Sequence, residues 1–116
     1  MPLVEVKTNV KVPNHHEFLS KLSTLAANLL DKPITGINAT LEDCKSLYFG
    51  GTNAPAFTVR VKSLGSLGLE HNKEISKKLS EFLYNELGTP NDRGYIFFEN
   101  PGRENCGWKG TTFAYI

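Results

Sequence analysis

Long apolar runs are missing from this chain of 116 residues, and so is any marked excess of charge. No stretch approaches the ~18 apolar residues of a membrane-spanning helix, and the N-terminus carries no apolar core of the signal-peptide kind. A cytoplasmic protein with no membrane partner is therefore expected. With 13 Lys and Arg against 12 Asp and Glu, the net charge is +1, so there is no basic surplus to form a nucleic-acid surface. Cysteine is scarce. Cys44 and Cys106 lie far apart and outside any C-x-x-C motif, which predicts reduced thiols in place of a disulfide or a metal site. His15 and His16 are neighbours whose rings point apart at a helix start, and His71 sits in a loop, so no metal site is expected. The Gly50-Gly51 and Gly65 to Gly68 stretches lack the spacing and lysine of a phosphate-binding loop and are read as turns. Asn38-Ala39-Thr40 matches a glycosylation acceptor but falls inside a predicted strand, and is read as chance.

What is present fits one domain over residues 1–116, with 40% hydrophobic residues and room for a packed core. Leu3 to Thr8 alternates as a strand. After a connection over Val10 to Pro13, Asn14 with Glu17 three residues on marks a helix start. Phe18, Leu22, Leu25, Ala26 and Leu29 then recur at helical spacing over about five turns. Asp31-Lys32-Pro33 ends that helix, and Ile37 to Asp43 reads as a strand. Ser46 to Phe49 leaves room for a short strand before the Gly50-Gly51-Thr52-Asn53 turn, and Ala56 to Ser63 alternates strongly. A second helix starting near Asn72 turns Ile75, Leu79, Phe82 and Leu83 inward and places Glu74 and Lys78 as an i,i+4 pair, until Gly88 and Pro90 stop it. Tyr95 to Glu99 is the next strand. Cys106 to Trp108 and Thr111 to Ala114 are short enough for edge strands or a tail hairpin.

The second half repeats the first: Val4 falls on Val61, Phe18 on Ile75, Leu22 on Leu79, Leu30 on Leu87, Pro33 on Pro90 and Leu41 on Phe98. Two tandem β-α-β units predict a two-layer α/β domain of the α+β kind, a four-stranded mixed sheet with two helices on one face. The other face carries Leu3, Glu5, Asn38, Thr40, Thr58, Arg60, Lys62, Tyr95 and Phe97. Its aromatic patch and the strand edges need partners, so a closed homo-oligomer is expected, of a copy number these features leave open.

Met1-Pro2 carries the chemical signal. A small residue after the initiator permits aminopeptidase removal of Met1, leaving a secondary amine anchored by a strand. An α-amino group titrates near ~8, and apolar walls or a nearby cation lower that value by disfavouring the charged form. Such an amine serves as a base at neutral pH.

Met1-Pro2, Thr8-Asn9, Lys32-Pro33, Phe49-Gly50-Gly51-Thr52, Ser63-Leu64-Gly65, Asp92-Arg93-Gly94-Tyr95-Ile96, Gly107-Trp108 and Thr112-Phe113-Ala114 together resemble the macrophage migration inhibitory factor and D-dopachrome tautomerase family. The resemblance runs nearly end to end. It implies a homotrimer with active sites at subunit interfaces, and a cofactor-independent keto–enol tautomerase acting on phenylpyruvate- or dopachrome-like substrates. It further implies Pro2 as the catalytic acid/base, Lys32 as the partner of a substrate carboxylate, backbone at Ser63 and Leu64 completing that site, Cys106, Trp108 and Phe113 lining it, and Tyr95 and Phe97 reaching it at the interface. The alternative it carries is a cytokine-like protein, exported without a signal peptide, that binds a cell-surface receptor.

Some positions depart from the family pattern. The mammalian C-x-x-C falls at Ala56 and Val59, so thiol oxidoreductase activity is not expected. A pocket asparagine falls at Phe97 and a pocket tyrosine at Gly36, which predicts a lean toward unsubstituted aromatic acids over phenolic ones.

Overall fold

In the computed structural model, which describes residues 2–116, the alternation of Val4 and Val6 against Leu3, Glu5 and Lys7 builds strand β1, Leu3–Thr8. Met1, and with it the expected processing step, lies outside the described residues. Helix α1, His15–Leu30, starts where the sequence predicts: the Asn14 side chain accepts a hydrogen bond from the Glu17 N–H at 3.0 Å. The Glu17 carboxylate pairs with Lys21 one turn on, at 3.0 Å. Asp31 closes the helix in the left-handed region at φ 51. Strand β2, Asn38–Glu42, is shorter at both ends than the sequence suggests.

Strand β3, Phe57–Lys62, helix α2, Leu69–Leu87, and strand β4, Gly94–Glu99, form the second unit. Helix α2 begins earlier than expected from Asn72. Its first residue, Leu69, faces solvent and so gives no periodic signal, while the Asn72 side chain accepts from the Gly68 N–H at 3.1 Å, inside the helix it was expected to start. The expected Glu74–Lys78 pair is also corrected: Lys78 reaches Glu81 instead, at 3.9 Å. Gly88 at φ 71 terminates the helix as read from the sequence.

The sheet order is β2-β1-β3-β4, with β1 and β3 antiparallel at the centre and a parallel strand outside each. Val4 stands directly opposite its own repeat equivalent, Val61. The halves differ by one pleat, since Val4 pairs with Ala39 whereas Val61 pairs with Phe98 instead of Ile96. A full pleat keeps the inward face inward, so the repeat tolerates it. Val4, Val6, Val59 and Val61 pack against Phe18, Leu22, Ala26 and Leu30 of α1 and Ile75, Leu79 and Leu83 of α2. Both helices therefore cover one face. Each fully buried aliphatic side chain contributes about 1.5–3 kcal/mol. The far face exposes Tyr95 by 64% and Phe97 by 54%.

Ser46 to Phe49 forms no strand; Phe49 and Thr52 make an isolated bridge. This segment is held by side chains instead. Asn9 donates to the carbonyls of Leu47, Asn53 and Ala54, and Arg93 donates to those of Phe49, Ala54 and Pro55. Gly94, the residue after Arg93, pairs with Phe57, and a Cβ there would overlap the Phe57 carbonyl and ring. Gly94→Ala is therefore expected to lower stability by about 1–3 kcal/mol through overpacking. Urea denaturation checks this, with a shifted midpoint expected at an unchanged slope.

The chain ends in the two-stranded hairpin of β5, Gly107–Trp108, and β6, Thr111–Thr112. It is the tail hairpin left open by the sequence, with Phe113 to Tyr115 in a 3-10 turn in place of further strand.

Candidate functional site

Parallel pairing of β1 with β2 places Asn38 beside Leu3, and the Asn38 N–H donates to the Pro2 carbonyl at 3.0 Å. The Pro2 carbonyl is thereby tied to β2, and Pro2 is buried. The tail hairpin closes over it: the Phe113 N–H donates to the Cys106 carbonyl at 3.0 Å, bringing the ring of Phe113 parallel to Trp108, 6° apart with centroids 6.0 Å distant. Between these elements lies a cavity of about 650 Å³ lined by Pro2, Leu3, Pro33, Thr35, Gly36, Ile37, Asn38, Cys106, Gly107, Trp108 and Phe113. Its walls are mostly apolar, with few polar groups, as small-molecule sites are.

A larger groove, about 920 Å³, runs along α2 past Lys73, Lys77, Tyr84 and Pro90. It is an open surface of mixed polarity whose one aromatic, Tyr84, is exposed, and it holds no buried reactive group, so we place the site at Pro2.

The expected site residues divide into those the fold gathers and those it does not. Pro2, Cys106, Trp108 and Phe113 meet in the cavity. Cys106 and Cys44 are both free thiols, Cys106 buried and Cys44 exposed. Lys32 adjoins the cavity through Pro33 without lining it; it is half-buried and makes no ion pair among the described residues. Ser63 follows Lys62, the partner of Leu3, and so sits at the same end of the ladder as Pro2, but it does not line the cavity. Its N–H donates to the Glu99 carbonyl at 3.1 Å, and its buried hydroxyl has no partner among the described residues. Leu64 is half-buried and also outside the lining.

Tyr95 and Phe97 are remote from Pro2 within one protomer. Tyr95 pairs with Thr58, which pairs with Lys7, five residues along β1 from Pro2. At about 3.3 Å per residue this is about 16 Å along the strand. Phe49 packs against the Tyr95 ring at 5.2 Å, and Arg93 stacks over Phe49 at 5.2 Å. Phe97 lies in a shallow hollow with Arg60, Lys62 and Glu99.

Thr35 and Asn38 were not foreseen as site residues, although the β-α-β pattern held the signal for Asn38. A parallel second strand begins beside the first, so its opening residue meets the chain start. Among the described residues no group of His, Cys, Asp and Glu is arranged to hold a metal ion, and no helix is long and apolar enough to cross a membrane. His15 is engaged elsewhere, 3.0 Å from Asp43, whose carboxyl is held below the usual range by the Val12 N–H and by His15.

Comparison with known proteins agrees with this geometry. Residues 1–114 match the family model described as macrophage migration inhibitory factor (MIF). The chain is 37% identical to the macrophage migration inhibitory factor homolog of Trichinella spiralis, over 97% of this chain and 100% of that one. It is 33% identical to D-dopachrome decarboxylase-B of Xenopus laevis, over 100% of both. Among solved structures, the macrophage migration inhibitory factor of Trichinella spiralis superposes with a TM-score of 0.90 at 36% identity, covering 96% of this chain and 99% of the other. The homologue from Prochlorococcus marinus gives 0.91 at 33%, covering 96% and 98%.

Proposed function

This chain belongs to the macrophage migration inhibitory factor family, and from that premise we propose that it is a cofactor-independent keto–enol tautomerase of small aromatic α-keto acids, with Pro2 as its acid and base once Met1 is removed. The family includes tautomerase and cytokine-like members and is generally oligomeric. The observation that carries the proposal is the burial of Pro2 in a cavity walled by Leu3, Ile37, Trp108 and Phe113.

The chemistry follows from that placement. Apolar walls disfavour the protonated amine, so Pro2 is available as a base near neutrality. Its lone pair takes a proton from the carbon between the ring and the keto group. The C–H electrons form the C=C bond as the carbonyl π electrons move to oxygen, and the proton returns to that oxygen to give the enol. No electron is gained or lost, so the step needs no redox cofactor. Lys32 at the rim pairs with the carboxylate, and Tyr95 and Phe97 enter from a neighbouring copy in a homotrimer. Gly36 leaves space in the wall, while Thr35 and Asn38 supply polar groups there.

The test is direct. Processed protein should convert phenylpyruvate between its keto and enol forms faster than buffer, followed by the enol absorbance. A rate equal to that of heat-denatured protein would remove the proposal.

A further inference from the structure

A two-residue hairpin connection of type I′ requires positive φ at both central residues, and Asn-Gly is the pair that meets this most easily. Between β5 and β6 the two residues are Lys109 and Gly110, at φ 52 and 77. Glycine takes that shape freely, whereas lysine is disfavoured there by its Cβ. The turn carries the Lys109 ammonium to 4.6 Å from the centroid of the Trp108 ring. Trp108 is a wall of the Pro2 cavity. No carboxylate among the described residues pairs with Lys109.

Resting on the reading of this cavity as a carboxylate-substrate site, we propose that Lys109 determines specificity for anionic ligands, its charge held at the cavity rim by the turn and the Trp108 ring. Lys32 adjoins the cavity on a different element, next to Pro33. Neither Lys32 nor Lys109 lines the cavity, but each is next in sequence to a residue that does, and from there two cations attract a carboxylate to the site. The contribution is to capture, so it falls on KM rather than kcat. It also weakens with salt, because the screening length is about 8 Å at physiological ionic strength.

The informative variant is Lys109→Asn, which removes the charge and installs the turn's preferred Asn-Gly pair, so a loss of binding is not a loss of fold. Trp108 is the sole tryptophan and reports occupancy by its fluorescence. The probes are cinnamate and the neutral cinnamamide, titrated at low salt into assembled protein. Lys109→Asn should raise the Kd for cinnamate about three- to tenfold and leave cinnamamide unchanged, with the difference shrinking as salt is added. Lys109→Arg, which keeps the charge and stacks on the indole, should retain wild-type affinity. Equal cinnamate affinity in wild type and Lys109→Asn, or an equal loss for both probes, overturns the proposal. The binding assay is independent of turnover. Protein that binds cinnamate through Lys109 but leaves phenylpyruvate unconverted contradicts the tautomerase reading alone. Protein that converts phenylpyruvate with an unchanged KM in Lys109→Asn contradicts the Lys109 proposal alone.

Discussion

Pro2→Gly is expected to lower kcat for phenylpyruvate by about 10²-fold, the scale on which a positioned general base contributes. Glycine leaves an N-terminal amine after processing, so the variant removes the ring and not the nitrogen. What it loses is placement. In the native chain the Pro2 carbonyl is held by the Asn38 N–H and the ring is buried against the cavity wall, which limits the directions its nitrogen can face. A glycine amine rotates about its own bond and spends most of its time misaligned, and alignment is itself a large part of a catalytic advantage. The rate profile should also change. The wild-type acidic limb should lie on the acid side of neutrality, since the walls disfavour the charged amine; the better-hydrated glycine amine should move that limb toward alkaline pH. Initial rates across pH for both proteins check this. Equal rates with superimposable profiles would mean that Pro2 is not the base.

A comparably large effect is expected from mixing two damaged proteins. Tyr95→Ala should lose most activity if the ring completes a site, although within one protomer Tyr95 is far along the sheet from Pro2. The site then draws Pro2 and Tyr95 from different copies. Dissociating and reassembling equal amounts of Pro2→Gly and Tyr95→Ala should therefore restore about a quarter of the wild-type rate, because random assembly pairs an intact Pro2 with an intact neighbouring Tyr95 in that share of sites. Sedimentation should show a trimer throughout. No recovery on mixing, or a fully active monomer, would contradict both the interface and the placement of Tyr95.

The fold was legible where burial is periodic. β1 announces itself because Val4 and Val6 alternate with polar residues, and α1 because Asn14 caps a run whose apolar residues face the sheet. The tandem repeat also pointed to the uncovered sheet face, where Tyr95 and Phe97 are exposed. Legibility failed where structure is held by contacts distant in sequence. The Ser46 to Phe49 segment had no local signal because Asn9 and Arg93, each some forty residues away, secure it through carbonyls that any sequence would offer. The start of α2 was misplaced because Gly68 offers no capping side chain and Leu69 is 89% exposed.

The site was legible in part for the same reason. Pro2, Trp108 and Phe113 stand out by residue type and by family pattern, and the fold brings them together. Asn38 and Thr35 are ordinary polar residues whose membership comes only from strand pairing and the turn before β2. Phe97 marks the limit of position-by-position reading. Its replacement of an asparagine predicted a lean toward unsubstituted substrates, yet in one protomer it lies outside the cavity, while an asparagine at another position, Asn38, is among the lining residues. The preference then depends on which copy supplies Phe97.

The central claim is that activity belongs to a free Pro2 amine. Intact mass and initial phenylpyruvate rate, measured on the same samples prepared with different degrees of Met1 removal, test it most directly. An uncleaved Met1 turns the Pro2 nitrogen into an amide, which has no basic lone pair. The rate should rise in proportion to the processed fraction and extrapolate to the buffer rate when Met1 is fully retained. Full activity in protein whose mass shows Met1 in place would contradict the account.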